Sequence, residues 1–155
     1  MKYYYAFFRD NNTSVDPDGR LYKVVIKTKK GSGREELLLN DNPFSVDYES
    51  SDLYKPCKCS TATVGLLSLD YNSDFICESI TDNEVTLYRL KEGEKYSDEL
   101  KLEASDNKFF TVEWTGYTMP NAYSQDYKSF YDTYQMECQD KLSILKYYRY
   151  EDIPH

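Results

Sequence analysis

Residues 44–50 read Phe-Ser-Val-Asp-Tyr-Glu-Ser. Phe44, Val46 and Tyr48 alternate with Ser45, Asp47 and Glu49, so a strand here puts rings and a branched chain on one side and polar groups on the other. No helix keeps those two sets apart, because its period is 3.6 and not 2. Outward from this stretch the same period recurs. Tyr3 to Phe8 (YYYAFF) reads as a strand. Leu21 to Lys29 (LYKVVIKTK) places Tyr22, Val24, Ile26 and Thr28 on the more apolar face, which is expected to look into a core. Glu35 to Leu39 reads as a short strand, and Asn-Asp-Asn-Pro at 40–43 as a break before the next one. The Thr- and Val-rich, nearly uncharged segment 57–69 is expected at the centre of a sheet. Val85 to Leu90, Lys108 to Trp114 and Asp132 to Cys138 complete about eight strands.

Turn chemistry separates them. Asp18-Gly19 is a hairpin signal within a loop, Gly31 to Gly33 a second turn, and Lys91 to Glu99 (KEGEKYSDE) a solvated, charged hairpin tip. A single segment reads as helix. Leu142, Leu145 and Lys146 fall at i, i+3 and i+4, with Asp140 placed to accept N–H bonds at the helix start, as an N-cap or in the first turn. The chain is therefore expected to be mainly β, one domain over 1–155, with one short C-terminal helix.

With 27 acidic against 19 basic residues the net charge is −8, which argues against a protein that holds nucleic acid by neutralising phosphates. No apolar run approaches the ~20 residues of a spanning helix. The aromatic N-terminus meets Arg9 and Asp10 too early for a secretory signal, so the chain is expected to be made and kept in a cytoplasm. Of the four cysteines, Cys57 and Cys59 share one face of a strand and suit a soft metal. No second close pair accompanies them, and the single histidine is the terminal residue, His155, so free thiols are the expected state and no metal or other cofactor is foreseen. The same position of His155 removes the usual nucleophile–histidine pairs. A glycosidase-like pair of acids would fall to Glu113 and Asp126, but no enzyme is expected.

Tyrosine is over-used, with 17 copies. Strand preference accounts for much of that, and interface use for the rest. The richest stretch is Trp114 to Tyr127 (WTGYTMPNAYSQDY), read as a loop between two strands. Trp114, Tyr117, Tyr123 and Tyr127 can stack on sugars there, with Asn121 and Gln125 as hydrogen-bond partners, or pack beneath the loop and pin it.

The segment from Glu113 to Tyr148 resembles a pattern of tail proteins from phages and prophages of Bacteroides-type gut bacteria. Trp114, Gly116, Tyr117, Pro120, Asn121, Tyr123, Ser124, Tyr127, Asp140, Leu142, Leu145 and Lys146 fill its places. Residues 37–68 are similar to the same family's upstream part, in which a strand precedes Tyr-Lys-Pro and a Thr-rich central strand. The resemblance covers roughly residues 20 to 150.

It implies a β-barrel or β-sandwich with a flanking helix, as in the first domain of tail-hub proteins, which assemble into rings around the DNA channel. The family's proteins are much longer, so this chain corresponds to an N-terminal part or a short stand-alone version. Trp114, Gly116, Pro120, Asp140, Leu142 and Leu145 become structural anchors, and Tyr117, Tyr123 and Tyr127 face a neighbouring subunit. The implied partners are other phage tail proteins and further copies of the chain, as a trimer or hexamer. DNA is only passing cargo, and the location is a virion tail assembled in the bacterial cytoplasm. The runner-up is a carbohydrate-binding module that uses the Trp114–Tyr127 loop for host attachment.

Overall fold

A computed structural model describes residues 1–10, 20–48, 59–68, 72–97, 100, 108–120 and 132–147. They form one eight-stranded sheet. In chain order the strands are β1 (Lys2–Asp10), β2 (Arg20–Thr28), β3 (Gly33–Glu36), β4 (Leu38–Tyr48), β5 (Ser60–Ser68), β6 (Asn83–Leu90), β7 (Phe110–Thr118) and β8 (Asp132–Asp140). Their order across the sheet is β3-β1-β2-β6-β7-β8-β5-β4. Neighbours are antiparallel except β1 and β3, which are parallel.

The two ends of that order decide the shape. β3 and β4 lie at opposite edges, yet a single residue, Leu37, joins them. A chain covers at most ~3.6 Å per residue, so a flat sheet of eight strands, each ~4.8 Å from the next, cannot have its edges tied by one residue. The sheet must curl on itself into a barrel. The Leu37 amide donates to the Tyr5 carbonyl (2.8 Å), which keeps the crossing strand on β1 for one more residue.

Alternation fills the interior. Val24 and Ile26 of β2, Val85 and Leu87 of β6, Ala62, Val64 and Leu66 of β5, and Tyr134, Met136 and Cys138 of β8 pack around Trp114 and Tyr4. Phe44 and Val46 lean onto this core from β4, and Tyr22 does so from the expected face of β2. A second apolar layer lies outside the sheet. Val25, Tyr88, Leu100 and Phe110 are buried there, with Tyr3, Tyr5 and Phe7 packed on them. The aromatic run Tyr3–Phe8 is thus apolar on both faces because both faces are covered. Lys23, on the face expected to be the wetter one, is 2% exposed. Its ammonium donates to the Leu100 carbonyl (2.7 Å) and sits 5.6 Å from the centres of the Phe7 and Phe110 rings, so the charge is paired with a dipole and two π faces.

Five sequence expectations change. Asn40–Pro43 does not break the chain. It is a bulge inside β4, where the register with β5 shifts between Leu39 and Phe44. The Asn42 amide bonds the Asn40 side chain (2.8 Å), and the bulge rests on Gly65 of β5, where a Cβ would overlap Asn40 Oδ1 and the Asn42 carbonyl. The Thr-rich strand lies between β8 and β4, one place in from the end of the sheet order. The segment Trp114–Thr118 is strand, not loop, because Trp114, Gly116 and Thr118 continue the inward alternation of β7. The C-terminal helix is a 3₁₀ turn, Ser143–Tyr147. With three residues per turn, its buried apolar residue is Ile144 (4% exposed), whereas Leu142 and Leu145 are 50% and 64% exposed. The expectation that those two leucines anchor the domain is therefore incorrect.

Candidate functional site

β3 accompanies β1 only over Lys2–Tyr5. Beyond Leu37 the chain belongs to β4 and pairs with β5, so the C-terminal half of β1 and the second half of β4 diverge. Between them opens a cleft of about 510 Å³. One wall carries Phe8 and Tyr22, whose rings are stacked with centres 5.3 Å apart and planes 14° apart. The opposite wall is the β4 bulge and the strand after it, with Asp41, Asn42, Phe44 and Tyr48. At the floor Phe44 meets Trp114 edge-on, 5.8 Å between centres.

A second bulge aims the floor. Leu87 of β6 stands opposite Trp114 and Tyr88 opposite Val112, so Glu113 is the extra residue of β7. Bulges re-aim side chains in this way. Trp114 turns into the core while Glu113 lines the cleft and bonds Arg89 (2.9 Å).

Trp114 is fixed from behind. Its indole N–H donates to Ser60 Oγ (2.9 Å), and the Ser60 hydroxyl donates to Asp140 Oδ2 (2.9 Å). Asp140 also accepts the Ser60 amide (2.5 Å) and, on its other oxygen, the Ser143 amide (2.7 Å). One carboxylate thus ties β5, β8 and the 3₁₀ turn to the tryptophan. Burial alone raises the Asp140 carboxyl pKa. The bonds from Ser143 and Ser60 outweigh it and hold the group below the ordinary carboxylate range. Gly116 completes the seat, since a Cβ there would run into the Trp114 ring and the Gln139 carbonyl.

The structure brings together some of the residues singled out in the sequence. Trp114, Gly116 and Asp140 form one anchor. Tyr117 is half-buried on the outward side of β7, with the Lys141 ammonium 5.7 Å from its ring centre and that same ammonium 3.6 Å from Glu84. Pro120 is half-buried after the end of β7. Tyr123 and Tyr127, like Asn121, Gln125, Asp126 and Cys57, lie outside the described residues. Trp114 is 6% exposed, so its ring offers the cleft an edge and no open face. Cys59, Cys77 and Cys138 are buried free thiols, and burial drives the Cys138 thiol far above its usual range. Among the described residues no group of three His, Cys, Asp or Glu side chains could hold a metal.

Phe8, Tyr22, Asp41 and Ser60 were not singled out. Tyr22 was legible as core-facing. The others gave no signal, because the cleft arises where two strands part, and strand parting is a property of pairing. No family model, no curated protein and no solved structure matches the chain.

Proposed function

We propose that this chain is a structural subunit of a bacteriophage tail tip, which contributes its barrel to a ring around the DNA channel through contacts with other copies and other tail proteins. The observation that carries the reading is the exposure of Leu145 on the 3₁₀ turn and of Leu142 just before it, a turn bonded to the barrel through Asp140. Apolar side chains presented on a fixed backbone suit a subunit contact, since little entropy remains to be lost on association. On β7, the Tyr117 ring centre lies 5.7 Å from the ammonium of Lys141, the residue before Leu142. The tail-protein resemblance over residues 113–148 takes in these same residues. The net charge of −8 suits a channel wall past which phosphates must slide, because like charges do not stick.

Light scattering across a concentration series tests the reading. A trimer or hexamer is expected, and Leu145→Asp is expected to return the mass to that of one chain while the fold persists. A wild-type chain that stays monomeric at every concentration counts against the ring. An oligomer indifferent to Leu145→Asp moves the contact elsewhere on the surface.

A further inference from the structure

We infer that the cleft between β1 and β4 binds a neutral oligosaccharide. The inference does not rest on the tail-subunit reading, and of the Trp114–Tyr127 stretch its site includes Trp114 alone. Four features carry it. The volume, about 510 Å³, falls in the usual range of small-ligand sites, roughly 300–1,000 Å³. One wall carries the stacked Phe8–Tyr22 pair, whose outer ring face is an apolar surface of the kind on which the C–H face of a pyranose packs.

The opposite wall carries polar groups at its bulge, and these are held in place. The β4 bulge, seated on Gly65 and closed by the Asn42–Asn40 bond, sets Asp41 and Asn42 at the cleft. A carboxylate accepts from two sugar hydroxyls at once, and an amide both donates and accepts. Charge then selects among ligands. Asp10, Asp41 and Glu113 line the cleft against Arg9, with Arg89 engaged by Glu113. That acidic excess disfavours phosphates, uronates and nucleic acid. Rings on one side, fixed hydroxyl partners on the other and an acidic rim describe a site for uncharged polyols.

The sole tryptophan forms the cleft floor, so the protein carries its own reporter. The intact chain is titrated with cello-, manno-, xylo- and malto-oligosaccharides, with oligogalacturonate and an oligolysine peptide in parallel, read by Trp114 emission and by calorimetry. A saturable response to at least one neutral oligosaccharide is expected. Tyr22→Ala and Asp41→Ala should each weaken it about tenfold, and Lys95→Ala, outside the cleft lining, should leave it unchanged. Asp41 sits on an exposed bulge, so its variant stays informative even if Tyr22→Ala fails to fold. The inference is overturned if no neutral sugar gives saturable heat, if Asp41→Ala binds as wild type, or if only the uronate or the lysine peptide binds.

Discussion

Trp114 has a sealed side and an open side, and the two are built from the same residue types to opposite ends. Behind the ring, Ser60, Asp140 and Ser143 are joined in one hydrogen-bonded chain, and the Asp140 carboxylate accepts three donors. In front of it, Glu113 makes a half-exposed ion pair with Arg89 beside a cleft open to water. A carboxylate holds a fold together when desolvated donors converge on it, and it meets solvent or ligand when they do not. Position relative to one indole ring decides which.

That contrast can be broken at graded cost. Trp114→Ala removes the ring that both sides share and should cost about 3–5 kcal/mol, seen as a large fall in the denaturant midpoint with the slope retained. A smaller loss leaves no room for the ring as the centre of the core. Gly116→Ala forces a methyl group against the Gln139 carbonyl and the indole, and should cost about 1–3 kcal/mol through overpacking.

Asp140→Ala strands the amides of Ser60 and Ser143 and should cost about 1–3 kcal/mol. Its pH signature is specific. The folded-state pKa lies below the unfolded value, so the stabilisation is fully present above about pH 4 and disappears as pH falls through the folded pKa. The stability gap between wild type and Asp140→Asn should therefore narrow in acid, and a gap that stays constant would remove the carboxylate from the account. Glu113→Gln, on the open side, should change stability by no more than about 0.5 kcal/mol. A larger effect would make the open side structural after all.

Much of the barrel was legible because strand alternation is local. Tyr22, Val24 and Ile26 showed their face from the residues between them. What escaped depends on residues distant in sequence. Asn-Asp-Asn-Pro has the chemistry of a break and becomes a bulge because Gly65, on the next strand, leaves a hollow for it. Trp-Thr-Gly-Tyr looks like a loop because glycine weakens strands, but Gly116 is where the indole of Trp114 lies down. Lys23 looked wet because the covering residue, Leu100, is 77 residues away. At the C-terminus the spacing of Leu142 and Leu145 matched an α-helical stripe, and the tighter 3₁₀ turn gave the interior to Ile144. Of the site, Trp114 and Asp140 were marked in the sequence, while the cleft was not.

The single residue between β3 and β4 also bears on the order of events in time. The strands follow one another in a single order from β3 to β4. The β1–β2 hairpin can form early, since its strands are close in sequence. The rim cannot close until Glu36 stands beside Tyr5 and Leu38 beside Leu67 together. Leu37 couples two pairings, β1–β3 and β4–β5, that are each closer in sequence than β2–β6 or β5–β8, so loop-closure entropy favours tying the two edges of the order ahead of those longer-range contacts.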